Sequence, residues 1–107
     1  MDEKLFLEAR EQIQAIDAEM AVLFCRRMKE VERIAAYKKE KGLPVLDGAR
    51  ERALIERNCA LIGDEQYKEY YLRFLQYTMQ LSRERQLQLL GDGFVADAAL
   101  TEGDASV

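Results

Sequence analysis

The sequence predicts an all-α protein made of one very long helix and two shorter ones. Apolar residues recur at spacings of three, four and seven through the first forty positions, as they do along one side of an amphipathic helix. The single proline and the six glycines lie where such patterns stop or in the C-terminal segment. No alternating strand pattern competes with this interpretation.

The first helix is expected to begin after Asp2, whose carboxylate can cap it, and to end at Lys41 before Gly42 and Pro44. A helix of about 40 residues is about 55 Å long, more than three times the usual length. Two shorter helices of the same chain cannot cover its apolar stripe, so we expect an intertwined two-fold homodimer. That stripe consists of Phe6, Ile13, Ile16, Met20 and Leu23.

Asp and Gly residues mark the ends of the two shorter helices. Asp47 is expected to cap the second helix, which should end near Ile62, just before Gly63. Asp64 is expected to cap the third helix, which should continue to Leu90. The sequence therefore predicts short connections between three helices.

The net charge of −4 comes from the end of the chain. Residues 91–107 contain four of the twenty acidic residues and none of the sixteen basic ones. We therefore expect a formally neutral helical domain at 1–90 and an acidic, flexible tail at 91–107. A domain without a basic excess argues against nucleic acid or an anionic membrane as its partner.

The composition also excludes several kinds of chemistry and location. No apolar run approaches the roughly twenty residues of a membrane span, and the charged N-terminus is unlike a signal peptide. Cys25 and Cys59 are isolated thiols, which fits a reducing cytoplasm. Without histidine, neither a Ser-His-Asp nor a Cys-His arrangement can be built. We expect no metal or other cofactor, and electrostatic stabilisation rather than proton transfer.

Two cations interrupt the apolar stripe of the first helix. Continuing the stripe places Arg27 and Lys38 on the core-facing side, where a cation requires an anionic partner. They are eleven residues apart, which is about three turns or roughly 16 Å along the axis. Their side chains could converge on a small, doubly charged ligand. Arg10 points elsewhere and lies about 25 Å from Arg27, so it could reach such a ligand only from a second copy.

The connection after the first helix reads Pro44-Val45-Leu46-Asp47-Gly48-Ala49-Arg50-Glu51. With Arg10, Arg27 and Lys38 before it and Ser82 and Gln86 after it, this segment closely resembles the all-helical (AroQ-class) chorismate mutases, whose loop reads Pro-Val-x-Asp-x-x-Arg-Glu. The resemblance covers residues 5 to about 90 and extends over all three helices. It implies an enzyme of phenylalanine and tyrosine biosynthesis that converts chorismate to prephenate by a Claisen rearrangement.

The resemblance also implies a role for each cation. Arg27 and Arg10 of the partner subunit would hold the two carboxylates of chorismate and select its compact conformer. Lys38 and Gln86 would face the ether oxygen, where negative charge grows as the C–O bond breaks.

The remaining positions would bind the substrate. By the same resemblance, Glu51 and the backbone near Asp47 would hold the ring hydroxyl, and Ser82 would assist carboxylate binding. Arg83 stands where the resemblance leads us to expect an apolar residue, so it either alters affinity or points outward. Two alternatives stay open, an isochorismate-pyruvate lyase on the same scaffold and a non-catalytic helical dimer.

Overall fold

The computed structural model describes residues 2–91, and this part of the chain contains helices and no strand. The elements follow in the order α1 (Glu3–Lys41), α2 (Gly48–Cys59), a short 3₁₀ turn (Glu65–Tyr67) and α3 (Lys68–Leu90). The predicted all-α class with one long and two shorter helices is confirmed. The predicted tail, beyond Gly91, lies outside the described residues.

The chain divides into two compact units, Met1–Glu30 and Val31–Val107, and α1 contributes residues to both. In the first unit, Asp2 begins α1 as expected. Its Oδ1 accepts a hydrogen bond from the amide of Lys4 at 3.0 Å, and its carbonyl accepts one from the amide of Phe6 at 3.1 Å. The bond to Lys4 satisfies one of the four amides that have no partner within the helix at its start, and the bond to Phe6 is the first regular bond of the helix.

The apolar stripe in the first unit is exposed on a single chain. Its five residues are between 41% and 56% exposed, with Phe6 the least and Ile13 the most. Burial of apolar surface contributes roughly 25 cal/mol per Å², so a stripe of this kind favours association. A homodimer would cover it, and that homodimer stays a prediction.

In the second unit, α1 ends in a turn that reverses the chain. Gly42 has a φ of +68°, and its amide donates to the carbonyl of Lys39 at 3.4 Å. The amide of Leu43 donates to the carbonyl of Lys38 at 2.9 Å. This pair of bonds is the Schellman motif, in which a left-handed glycine satisfies the last carbonyls of a helix.

The loop after this turn packs against the end of α3. Val45 is 2% exposed and lies in a small apolar cluster with Leu90 and the half-buried Leu87. Asp47 then caps α2 as predicted, because its Oδ1 accepts a hydrogen bond from the amide of Arg50 at 3.0 Å. The loop is therefore anchored by the packing of Val45 and by the cap at Asp47.

The predicted end of α2 near Ile62 is wrong, because the helix stops at Cys59. The amides of Leu61 and Ile62 bond to the carbonyls of Asn58 and Cys59, three residues back rather than four. The chain thus leaves α2 through tight 3₁₀-type turns before Gly63 is reached.

Asp64 caps the 3₁₀ turn rather than α3, since its Oδ1 accepts from the amide of Gln66 at 2.9 Å and α3 begins only at Lys68. α3 packs against α2 and buries one face. The spacing of three and four along this face is that of a helix side turned to a core. Two of its members are polar, and the face consists of Leu75, Met79, Ser82, Gln86 and Leu90.

Both cysteines are free thiols, Cys25 exposed and Cys59 half-buried. Within residues 2–91, no helix combines the length and hydropathy that crossing a membrane requires.

We predict that Gly42→Ala lowers the free energy of unfolding by about 1 kcal/mol, because only glycine adopts a positive φ without strain. A Cβ atom at Gly42 would meet nothing within 4 Å, so the effect should be purely conformational. Denaturant unfolding measures the change. Gly42→Asn should lose less, since asparagine tolerates this conformation. Gly63 has no positive φ and equally open space, so an equal loss in Gly63→Ala would contradict this explanation.

Candidate active site

Lys38 lies half-buried in the last turn of α1, and its ammonium donates a hydrogen bond to the carbonyl oxygen of Val45 at 2.7 Å. The turn at Gly42 makes this contact possible, because it brings the following loop back beside the helix end. The sequence placed Lys38 on an inward stripe but gave no sign of this acceptor. The lysine is thereby held in one position by backbone rather than by a carboxylate.

Burial lowers the pKa of Lys38 below its ordinary value. The negative charges of Asp47 and Glu51 act in the opposite direction, but they do not outweigh the loss of hydration. The positive charge therefore lies near two carboxylates and is partly removed from water. In such surroundings, an anionic atom that arrives next to the ammonium interacts with it more strongly than in bulk solvent.

Glu51 is buried in the first turn of α2, with 8% of the residue exposed. Its two carboxylate oxygens both accept hydrogen bonds from Nη1 of Arg83 in α3, each at 2.6 Å. Only 20% of the Arg83 side chain is exposed, so this residue does not point outward. Of the two possibilities left open by the sequence, the outward orientation is therefore wrong, and an effect on affinity stays a prediction.

Ser82 and Gln86 lie one turn apart on the buried face of α3, with 7% and 6% exposure. The hydroxyl of Ser82 donates to the carbonyl of Thr78 at 3.0 Å. Among the described residues, Oε1 of Gln86 has no hydrogen-bond partner although it is fully shielded from solvent. A half-turn of the terminal amide exchanges its oxygen and NH₂ with little change in shape, so this group can offer either a donor or an acceptor to a ligand.

Arg10 and Arg27 belong to the first unit. Arg10 is exposed, and its guanidinium lies 4.4 Å from the centre of the Phe6 ring, one helical turn earlier. Arg27 is half-buried. The other five predicted site residues, Lys38, Asp47, Glu51, Ser82 and Gln86, belong to the second unit.

Several contacts bring the residues of the second unit together. Lys38 interacts with the charges of Asp47 and Glu51, and Glu51 is joined to α3 by Arg83. Val45, which accepts the Lys38 hydrogen bond, packs against Leu90, one turn after Gln86. The site is thus built from the end of α1, the start of α2 and the buried face of α3.

A separate open cleft of about 310 Å³ contains none of the predicted site residues. Its lining includes the ion pair of Arg85 with Glu32, whose Nη2 and Oε2 atoms are 2.8 Å apart. In the described part of the chain, no three Cys, Asp or Glu side chains are grouped in a way that could hold a metal ion.

A family model described as chorismate mutase type II matches residues 9–87, and the chain therefore belongs to this family. The matched segment includes all seven predicted site residues. Family membership indicates an isomerase whose substrate is chorismate. Comparison of the chain with curated proteins and with solved structures gives no match.

The lowered pKa of Lys38 predicts how stability depends on pH. The unfolded chain binds this proton more tightly than the folded one, so the free energy of unfolding should rise as pH increases from the folded pKa to about 10.4. The comparison is between the wild type and Lys38→Met, unfolded by denaturant at several values from about pH 8 upward. The stability of the wild type relative to the variant should increase over this range. A difference that is constant or falls with pH would contradict the lowered pKa.

Proposed function

We propose that the protein is a chorismate mutase that converts chorismate to prephenate by an intramolecular Claisen rearrangement. The observation that carries this proposal is the family match over residues 9–87, which spans every candidate site residue. The proposal includes a place in phenylalanine and tyrosine biosynthesis. It also includes a cytoplasmic location, which the free thiols Cys25 and Cys59 support.

The rearrangement needs charge stabilisation rather than proton transfer, because one C–O bond breaks and one C–C bond forms within the same molecule. Negative charge develops on the ether oxygen as the C–O bond breaks. In the proposed mechanism Lys38 and Gln86 donate hydrogen bonds to this oxygen, and these bonds strengthen in the transition state. The half-buried ammonium at 2.7 Å from the Val45 carbonyl supports this role, since it is already positioned and partly desolvated.

Magnitudes make Lys38 the residue on which the rate should depend most. An acceleration near 10⁶ requires about 8 kcal/mol of transition-state stabilisation. One preorganised donor at a developing oxyanion typically contributes about 2.7–4 kcal/mol. Lys38 and conformer selection by the substrate-binding groups could together supply most of the required amount.

The substrate-binding groups are assigned by their chemistry. Arg27 would hold one carboxylate of chorismate, and the hydroxyl of Ser82 would assist. The carboxylate of Glu51 and the backbone near Asp47 would hold the ring hydroxyl. The burial of Glu51 and Ser82 supports these assignments, because their side chains have fixed positions from which a substrate group could be bound.

The second carboxylate would be held by Arg10 of the partner subunit in a homodimer. The exposed apolar stripe of the first unit supports association with a second copy. Within one chain, Arg10 is exposed and its guanidinium lies over the ring of Phe6, so it is accessible to an approaching anion.

The first test is the loss of chorismate with identification of the product. We expect prephenate from the wild type, and Lys38→Ala should lower turnover by at least about a hundredfold while remaining folded. Lys39 is exposed and adjacent, so Lys39→Ala is the matched control and should keep nearly full activity.

Other products would change the assignment. Pyruvate released from isochorismate, with little prephenate from chorismate, would identify the lyase. No turnover of either substrate by a folded dimer would favour the non-catalytic alternative. A loss below threefold in folded Lys38→Ala would contradict the role of this lysine.

Mixing two inactive variants tests whether Arg10 acts on the neighbouring subunit. In a heterodimer of Arg10→Ala and Lys38→Ala chains, one site carries both changes and the other carries neither. Random mixing makes half of the dimers mixed, so about one quarter of wild-type activity should return. Each variant alone should stay inactive. If activity does not return after subunit exchange, Arg10 acts within its own chain or not at all.

A further inference from the structure

The contact between Arg83 and Glu51 is a feature of the site for which the proposed mechanism gives no role to Arg83. Nη1 of Arg83 lies 2.6 Å from each oxygen of the Glu51 carboxylate. The two residues are 32 positions apart in the sequence and join α2 to α3. A first-turn glutamate is ordinarily solvated, whereas only 11% of this side chain is exposed. The pair therefore removes a carboxylate from water and fixes its direction.

We propose that Arg83 is a positioning residue that presents the Glu51 carboxylate to the ring hydroxyl of the substrate, and that it thereby sets the preference for substrates carrying this hydroxyl. This inference rests on the proposed function, because the hydroxyl belongs to chorismate. Arg83 acts through Glu51 and needs no contact with the substrate.

The geometry of the contact leaves part of the hydrogen-bonding capacity of the carboxylate unused. A carboxylate has about four lone-pair positions, two on each oxygen. A nitrogen equally distant from both oxygens occupies the positions that face between them. One outer position on each oxygen then remains to accept a hydrogen bond from a hydroxyl. Because both oxygens are held by the same nitrogen, the carboxylate cannot rotate without losing a bond, and the outer positions have a defined direction.

A fixed carboxylate reduces what a ligand must order on binding. A glutamate side chain has several rotatable bonds, and immobilising such a side chain opposes binding. In this protein that ordering has already occurred during folding. The hydroxyl contact exists in both the bound substrate and the transition state, so its loss should raise KM while kcat changes little.

A second ion pair on α3 provides a comparison. Arg85, two residues later, contacts Glu32 through Nη2 at 2.8 Å. The side chains of Arg85 and Glu32 are each about a third exposed, and neither residue is among the predicted site residues. The two arginines thus lie on the same helix, and each pairs with a different glutamate. Only the partner of Arg83, Glu51, is proposed to contact the substrate.

The experiment compares chorismate with its analogue lacking the ring hydroxyl, using kcat/KM for each. The wild type should prefer chorismate by at least about tenfold, as expected for a hydrogen bond to a charged group. Arg83→Met should reduce this preference to within about threefold, mainly through a higher KM for chorismate. Arg85→Met should keep the wild-type preference, and Arg83→Lys should restore part of it.

Removing Arg83 alone leaves a buried carboxylate without its hydrogen-bonded cation, which threatens folding. The double variant Glu51→Gln/Arg83→Met removes the charge together with its partner and keeps the test possible. Since Arg83 acts only through the Glu51 carboxylate, the double variant should prefer chorismate over the analogue as strongly as Glu51→Gln alone does.

Two results would overturn the inference. Retention of the wild-type preference in Arg83→Met would mean that Glu51 is positioned without Arg83. An equal rise of KM for both substrates would mean that Arg83 binds a part of the substrate other than the hydroxyl. Failure of the wild type to convert chorismate would instead overturn the proposed function, and the inference with it. The wild-type reaction in the same assay therefore distinguishes failure of the proposed function from failure of the inference alone.

Discussion

The partly buried positive charge of Lys38 is the constraint on which the arrangement of the second unit depends. A desolvated ammonium must be compensated locally, and the turn at Gly42 achieves this by returning the chain so that the Val45 carbonyl accepts its hydrogen bond. The same loop then delivers Asp47 to the start of α2 and, one turn later, Glu51. A helix stop, a loop path and a helix start are therefore linked to one lysine side chain.

Charge alternates through this region. Lys38 lies near the two carboxylates of Asp47 and Glu51, and Arg83 contacts Glu51 from α3. Buried charges that are paired cost less than isolated ones, although such pairs are not a strong source of stability. These pairs instead fix orientation, because each charged side chain holds the next one in a defined position. In the proposed reaction this order would let the protein meet a dianion without first rearranging its own side chains.

The sequence was sufficient to predict the three helices, the N-caps of the first two and the family, because helical periodicity and capping chemistry are local. It was not sufficient for the end of α2, where tight turns compete with the α-helix at Leu61 and Ile62. The Val45 acceptor and the Glu51 partner were also beyond reach, since both depend on how separate elements pack. The sequence marked Arg83 only as an unexpected residue at its position. Whether its side chain points outward or toward Glu51 depends on how α2 and α3 pack, which residue spacing does not determine.

The buried amide of Gln86 has a consequence for the stability of the protein. A buried oxygen without a hydrogen-bond partner typically costs about 1–3 kcal/mol. An apolar side chain of similar size would avoid this cost, as Leu75, Met79 and Leu90 do elsewhere on the same face. If Gln86 has its proposed role at the ether oxygen, the free protein gives up some stability to hold a polar group where the substrate binds.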